Sequence, residues 1–106
     1  MNSKQKGKTG ELEFARLCRE RGYDVRRTAQ YCGNTGDAAD VVGLPGIHAE
    51  IKRVERLNLE DAMTQATHDA QKGKLPVVFH RRNKGRWRAT MDIDVFFDLY
   101  RAWKEE

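Results

Sequence analysis

A short turn between two apolar segments constrains the fold of this chain more than any other sequence feature. The turn is Leu44-Pro45-Gly46, with proline and glycine at the second and third positions, where a tight turn prefers them. The flanking segments, 38–43 and 47–52, are short and rich in valine, isoleucine and alanine. We therefore expect these segments to be the paired strands of one hairpin.

The predicted hairpin places two carboxylates opposite each other. With the turn at 44–46, Gly43 pairs with Ile47, and the same register sets Asp40 opposite Glu50. Cross-strand neighbours have Cβ atoms about 4.5–5.5 Å apart, so two ionised carboxylates repel each other there unless a cation lies between them. Oxygen ligands of this kind suit Mg²⁺, which takes one or two carboxylates and keeps several waters.

Two further charged residues extend the predicted site. Lys52 shares a strand face with Glu50 and His48, and it lies two residues, roughly 6.6 Å, beyond Glu50. Glu11 lies on the buried side of a predicted first helix, where a carboxylate requires a compensating partner. Two explanations remain open for Glu11: it faces a metal, or it forms an ion pair with Lys52. Glu13, about 200° around the helix from Glu11, is expected among solvent-facing groups.

The hydrophobic periodicities along the chain predict one α/β domain. A chain of 106 residues has room for a single domain. The predicted order is helix, three strands, helix, two strands and helix, with the elements at 9–21, 23–28, 38–43, 47–52, 59–73, 75–81, 86–91 and 92–104. Asn58 is expected to cap the second helix. The glycine-rich segment 29–37 is expected to be a mobile loop, and residues 1–8 a flexible basic arm.

The last predicted helix carries large apolar side chains on one side. We expect Val95, Phe96, Leu99 and Trp103 to pack in the core, with a share in a contact between subunits. Cys18 is also expected in the core, and Trp87 is expected to pack rather than to stack on a base.

Charge distribution indicates a polyanionic partner. The chain has 20 Lys and Arg against 16 Asp and Glu, a net charge of +4. The cations cluster in two stretches without acids, and these are Lys4, Lys6 and Lys8, then Lys74, Arg81, Arg82, Lys84, Arg86 and Arg88. Such clusters suit a phosphate backbone, and a solvated surface that keeps the protein soluble is the alternative explanation.

Several other classes of protein are excluded or disfavoured. The longest apolar runs are four or five residues, too short for a membrane span, and the polar N-terminus does not resemble a secretory signal. A cytoplasmic protein with free thiols at Cys18 and Cys32 is therefore expected. The histidines lack zinc-ligand spacing, Ser3 is the only serine, and Gly7-Lys8-Thr9 lacks the earlier glycine of a phosphate loop. No membrane and no small-molecule cofactor are expected.

The acidic and basic residues together resemble the motif of a known nuclease superfamily. Gly36-Asp37-Ala38-Ala39-Asp40 followed by Glu50-Ile51-Lys52, with Glu11 before and Gln65 after, is similar to the PD-(D/E)xK superfamily. The opening 6–11, the helix end at Gly22-Tyr23 and the pair Arg26-Arg27 resemble its archaeal and bacteriophage Holliday-junction resolvases. The resemblance covers roughly residues 4–80. Ala39 stands where the name of the superfamily has proline, and Asp37 is a weaker candidate than Asp40.

The resemblance implies a fold and a chemistry. The fold is a restriction-endonuclease-like core, a mixed central sheet flanked by helices, in a homodimer with two active sites. The activity is Mg²⁺-dependent cleavage of a four-way DNA junction, with Mn²⁺ substituting. Asp40, Glu50 and the main-chain carbonyl of Ile51 would hold the metal, with Glu11 supporting it directly or through water. Lys52 would orient the attacking water.

Further residues are expected to bind DNA or to assist at the site. Gln65 matches a glutamine found in many members, although a polar residue on a helix flank is the alternative explanation. The residues expected to contact DNA phosphates are Lys4, Lys6, Lys8, Arg26, Arg27, Arg53, Arg81 and Arg82. Two other functions stay open, namely a nuclease of the same fold acting on flaps, nicks or damaged duplex, and a DNA-binding module without catalysis.

Overall fold

The described residues form three helices and five strands in the predicted order. The computed structural model describes residues 3–28 and 39–105. The elements are α1 (Ser3–Glu20), β1 (Arg26–Arg27), β2 (Val41–Val42), β3 (Ile47–Arg53), α2 (Leu59–Asp69), β4 (Leu75–Arg81), β5 (Arg88–Thr90) and α3 (Ile93–Lys104). The predicted loop 29–37, with Cys32 and Asp37, lies outside the described residues.

The five strands form one mixed sheet in sequence order. The pairs β1–β2, β2–β3 and β4–β5 are antiparallel, whereas β3 and β4 are parallel and joined by α2. A parallel pair needs such a crossover, because the chain must return to the same end of the sheet. The structure is therefore a small α/β domain with a five-stranded mixed sheet and three helices.

The turn between β2 and β3 forms as predicted. The backbone N–H of Ile47 donates to the carbonyl of Leu44 at 3.0 Å, and Gly46 has a φ of +84°. Positive φ at the third turn position is what glycine supplies without steric cost. The register pairs Val41 with Ala49, which is the predicted register and sets Asp40 across from Glu50. This prediction is confirmed.

Helix α1 packs on one face of the sheet. Phe14, Ala15 and Cys18 are buried against β2 and β3, and the Phe14 ring stacks on Phe79 with centroids 4.5 Å apart. The core position of Cys18 is confirmed. Trp87 packs on Phe14, with centroids 5.3 Å apart, as expected.

The start of α1 differs from the sequence prediction. The helix begins at Ser3, so residues 3–8, expected to be a flexible arm, form its first turns. Apolar periodicity cannot reveal a polar extension of a helix. The lysine and glutamine residues in this segment are good helix formers, which explains why the helix continues there. Later in α1, Gly10 approaches β3 so closely that an added Cβ would lie 2.9 Å from the Cβ of Arg53. The N-terminal half of α1 is thus held near the end of β3.

Helix α2 covers the opposite face of the parallel strand pair. The N–H of Asp61 donates to Oδ1 of Asn58 at 3.1 Å, which confirms the predicted N-cap. Ala62 and Ala66 are buried against Val78 of β4. The helix ends at Asp69, four residues before the predicted end. Strand β4 has the predicted bounds, whereas β1, β2 and β5 are shorter than predicted.

Helix α3 does not pack as predicted. Val95 is buried, but Phe96, Leu99 and Trp103, expected in the core, are 44%, 39% and 66% exposed. Periodicity shows that a helix has an apolar face but not whether its own domain covers that face. Within the described part of the chain, no helix is long and apolar enough to cross a membrane.

Candidate functional site

Asp40 lies directly before β2, where the pairing with β3 ends. Its backbone N–H donates to the carbonyl of Ala49 at 3.0 Å, and its Oδ2 accepts the N–H of Ile51 at 2.8 Å. The side chain therefore replaces the next rung of the ladder. The carbonyl of Ile51 lies on the same edge of β3 as its N–H, since both groups of one strand residue point toward the same neighbour. Asp40 and Ile51 are thus brought together as predicted.

The environment of Asp40 disfavours its charge. Burial and, second, the charge of Glu50 across the hairpin together raise the pKa of the Asp40 carboxyl from 3.8 to about 6. The hydrogen bond from Ile51 and the charges of Lys52 and His48 act oppositely but do not outweigh these effects. A raised carboxyl pKa of this kind marks a position where a further cation would be favoured.

Glu50 is almost fully buried and has one partner. Nε2 of His48 lies 2.9 Å from Oε1 of Glu50, in place to donate to that carboxylate oxygen. His48 and Glu50 are 0% and 1% exposed, and the other oxygen, Oε2, has no hydrogen-bond partner among the residues that the structure describes. A buried oxygen without a partner is costly, so it calls for a ligand or an ion. Sequence reasoning placed His48 on this face but gave it no role.

Glu11 reaches the same region from α1. Its Oε1 accepts from Nε of Arg27 at 2.8 Å, in a pair whose side chains are 15% and 18% exposed. The ion pair is therefore with Arg27, and the expected alternative partner, Lys52, is not the one found. Burial raises the pKa of Glu11; the bond from Arg27 lowers it, and the charge of Asp40 raises it again.

These groups surround one cavity at the end of β3. The cavity has a volume of about 370 Å³ and is lined by Gly7, Glu11, Asp40, Ile51, Lys52, Arg53 and Val54. Among the described residues, Lys52 has no carboxylate within ion-pair distance. Glu50 is not on the cavity wall. The structure brings together Glu11, Asp40, Ile51 and Lys52, with Glu50 buried behind them.

The donor set fits a hard cation with few protein ligands. Within residues 3–28 and 39–105, no three His, Cys, Asp or Glu side chains are arranged to hold a metal. Asp40 and Glu50 supply two carboxylates, each with one oxygen hydrogen-bonded to the protein, and Oε2 of Glu50 has no partner among the described residues. Mg²⁺ takes one or two carboxylates and keeps waters, so this set fits Mg²⁺ better than a metal that needs a complete protein cage.

A second carboxylate of α1 has a structural role that the sequence did not reveal. Glu13 was expected among solvent-facing groups, but it accepts from Arg81 and from Nε1 of Trp87, the latter at 3.1 Å. Nε of Arg53 also lies 3.0 Å from its Oε2, close enough for an ion pair although not aligned as a hydrogen bond. Glu13 therefore links α1 to the ends of β3 and β4.

A cationic pocket adjoins the cavity. It has a volume of about 320 Å³, shares Val54 with the cavity, and is lined by His80, Arg81, Arg82, Arg86 and Arg88 with Glu55, Leu57 and Gly85. Lys52 and His80 are direct partners across the parallel strands, which places the pocket one strand from Lys52. Burial and the charge of Arg88 lower the pKa of His80. Arg86 and Arg88 belong to the basic stretch of the sequence, but the pattern alone does not predict them as DNA contacts.

The predicted DNA-contacting residues fall into three groups. Lys8 and Arg82 are exposed, and Arg26 is exposed beside Asp24 at 3.0 Å. Arg27, Arg53 and Arg81 are half-buried and joined to Glu11 or Glu13. The side chains of Lys4 and Lys6 lie outside the description.

Gln65 lies on the exposed side of α2, between the buried Ala62 and Ala66. Gln65 is not among the residues that line the cavity around Lys52.

Comparison of this chain with protein-family models, with curated proteins and with solved structures finds no match.

Proposed function

We propose that this chain is a Mg²⁺-dependent endonuclease whose substrate is branched DNA, above all a four-way junction. The observation that carries the proposal is the pairing of Asp40 with Glu50 across the hairpin, beside Lys52. A restriction-endonuclease-like core and membership of the PD-(D/E)xK superfamily belong to the same proposal. The motif residues named for that superfamily support it.

The electrostatics of the pair favour this reading over a structural one. A structural ion pair joins opposite charges, whereas Asp40 and Glu50 carry the same charge and raise the cost of ionisation. Burial makes that cost larger because little water screens the two groups. Such an arrangement lowers the stability of the metal-free protein, which is common where side chains are kept for chemistry.

Each residue of the cavity has a role in this proposal. Mg²⁺, when bound, activates water as a nucleophile and stabilises charge on the phosphoryl oxygens. Asp40, Glu50 and the carbonyl of Ile51 would hold the ion. Glu11 would support it through water, because Arg27 takes one of its oxygens. Lys52 would orient the attacking water and offset the charge that develops on the phosphate.

The cationic pocket supports DNA as the substrate. Arg82, Arg86 and Arg88 line it, and no carboxylate of the described residues pairs with them within ion-pair distance. Guanidinium groups bind phosphate oxygens well, and a pocket one strand from Lys52 would hold a phosphate near the one that is cleaved. A four-way junction has two-fold symmetry, so paired cleavage calls for two copies of the site, as in a homodimer.

One observation favours a second candidate, a DNA-binding module without catalysis. Glu50 is buried away from the cavity wall and bonded to His48, which a purely structural carboxylate would also be. In that case the cationic pocket would bind DNA and the acids would take no part.

Cleavage of labelled DNA separates these functions. We expect wild-type protein to cut a four-way junction in Mg²⁺ and to leave it intact in EDTA, with less cutting of linear duplex and flap DNA. Cutting of flaps in preference to junctions would assign a different substrate to the same chemistry. Binding without cutting under every metal condition would favour the binding module.

Asp24 supplies the matched control for this experiment. Asp40→Asn is expected to abolish cleavage, while Asp24→Asn is expected to leave it unchanged. The side chain of Asp24 is 81% exposed, and among the described residues its ion-pair partner is Arg26. Equal loss of cleavage in both variants would show that general charge, and not the site, was responsible.

A further inference from the structure

His48 is a buried histidine to which the proposed chemistry gives no part. It stands two residues before Glu50 on β3, so the two side chains share one face of the sheet. Across the parallel pair, His48 is opposite Pro76 and Glu50 is opposite Val78, whose side chain packs under α2. His48 and Glu50 therefore lie on the face of the sheet that α2 covers, and both are buried there.

Packing alone does not account for a histidine at this position. Nε2 of His48 lies 2.9 Å from Oε1 of Glu50, but Nδ1, which is also buried, has no hydrogen-bond partner among the described residues. A buried polar atom without a partner lowers stability, whereas an apolar side chain of similar size would fill the same space without that loss. The contact with Glu50 is what a histidine supplies here and an apolar residue would not.

The direction of this hydrogen bond follows from the chemistry of the acceptor. An ionised carboxylate only accepts hydrogen bonds, so the imidazole proton lies on Nε2 and is donated to Oε1 of Glu50. The bond occupies one carboxylate oxygen and leaves Oε2, which has no partner in the described part of the chain. His48 thereby makes the two oxygens of Glu50 unequal, because one is bound to the protein and the other is left for a ligand.

The same bond fixes the rotation of the Glu50 carboxylate. The last torsion of a glutamate side chain is broad, so rotamer preference alone does not hold it. The donor on His48 determines which oxygen is turned toward the imidazole. Asp40, across the hairpin, is held similarly, since its Oδ2 accepts the N–H of Ile51 at 2.8 Å. Each of the two carboxylates therefore has one oxygen bound to the protein in the metal-free structure.

We infer that His48 is a positioning residue for the metal site, which orients Glu50 so that Oε2 is the oxygen offered to the ion. The inference rests on the proposed function, since it takes Glu50 as a metal ligand. His48 acts through Glu50 and not by contact with the ion. Hydrogen-bond partners of metal ligands contribute roughly 10- to 100-fold in metal affinity. We attribute a contribution of this kind to His48.

Calorimetric titration of Mn²⁺ into the DNA-free protein tests the inference with two substitutions of matched shape. His48→Gln keeps an N–H donor near the position of Nε2, whereas His48→Met has the same length and no donor. We expect His48→Gln to bind the ion within about threefold of wild type, and His48→Met to bind it roughly 10- to 100-fold more weakly. Rescue by glutamine separates the hydrogen bond from simple filling of space.

His68 supplies the matched control. Its Nδ1 lies 3.1 Å from Oδ1 of Asp69, so it is also a histidine beside a carboxylate, but its side chain is 86% exposed. His68→Gln and His68→Met should both bind Mn²⁺ as wild type does. Circular dichroism in EDTA establishes that each variant is folded. If His48→Met does not fold, His48→Asn replaces it, because the asparagine amide lies near the position of Nδ1 and is too short to reach Oε1 of Glu50.

The Mg²⁺ concentration at half-maximal cleavage provides a second readout. A weaker site needs more metal, so His48→Met should require roughly 10- to 100-fold more Mg²⁺ and then approach the maximal rate of wild type. A merely structural role would lower the maximal rate through loss of folded protein and leave the half-maximal concentration unchanged.

The outcomes separate this inference from the proposed function. Equal Mn²⁺ affinity of wild type and His48→Met would overturn the inference alone, and so would equal weakening in His48→Met and His48→Gln. Absence of Mn²⁺ binding by wild type would overturn the proposed function and the inference with it.

Discussion

Replacing Asp40 with asparagine should stabilise the metal-free protein. The substitution removes one of two like charges while keeping the shape of the side chain. The amide oxygen of asparagine can still accept the hydrogen bond that the N–H of Ile51 donates to Asp40. Removal of a half-buried, hydrogen-bonded carboxylate ordinarily lowers the stability of a protein. A gain in stability on this substitution would therefore be a distinctive result.

The pKa of Asp40 sets the magnitude and the pH window. A rise from 3.8 to about 6 is about 2 units, which corresponds to about 3 kcal/mol at ~1.4 kcal/mol per unit. Because the folded state holds this proton more tightly than the unfolded state, wild-type stability falls as pH rises from about 4 to about 6. Above that range both states are ionised and the full cost remains. Below it Asp40 is protonated in both states and resembles asparagine.

Chemical denaturation in EDTA across this pH range is the assay. Asp40→Asn should equal wild type in stability near pH 4 and exceed it by up to about 3 kcal/mol near pH 8, or roughly 13 °C in melting temperature. Asp24→Asn, with its exposed carboxylate, should show no such growing difference. If Asp40→Asn is less stable than wild type at pH 8, Asp40 is a structural carboxylate and the reasoning fails.

Five further substitutions test the site, the pocket and the turn. In EDTA, Glu50→Gln should bind a four-way junction at least as tightly as wild type, whereas Lys52→Ala should bind slightly less tightly, and both should lose cleavage in Mg²⁺. Matched loss of stability and of binding in both variants would indicate that the two charges have a structural role instead. Arg86→Gln should lower the slope of log binding constant against log salt by about 0.9 if it contacts one phosphate, and an unchanged slope would remove it from the interface. Gly43→Ala should destabilise by more than about 2 kcal/mol in a urea titration, because φ is +115° and the added Cβ would lie 2.3 Å from the carbonyl oxygen of Asp24. Gly46→Ala, also at positive φ but with open space around it, should cost only about 1 kcal/mol, and equal effects of the two would show that the close approach is relieved elsewhere.

The parts of the fold that sequence reasoning predicted are set by local interactions. The turn at Pro45-Gly46 fixes the hairpin register, and register alone sets Asp40 across from Glu50. The N-cap at Asn58 likewise depends on residues within one helical turn. Residues within a few positions of one another are enough to specify such features.

The parts that the sequence did not reveal depend on distant segments. Glu13 binds Arg53, Arg81 and Trp87, which are 40 or more residues away, and no local sequence pattern predicts these contacts. The exposed face of α3 has the same origin, since apolar periodicity is identical whether its own sheet or another molecule covers it. The pairing of Glu11 with Arg27 rather than Lys52 follows from how α1 lies against β1.

Calorimetric titration of Mn²⁺ into the DNA-free protein tests the central claim most directly, because Mn²⁺ accepts the same oxygen ligands as Mg²⁺. We predict that wild type and Asp24→Asn bind the ion at one site per chain, and that Asp40→Asn and Glu50→Gln do not bind it in the same range. Equal binding by all four proteins, or no binding by wild type, would contradict a metal site at Asp40 and Glu50.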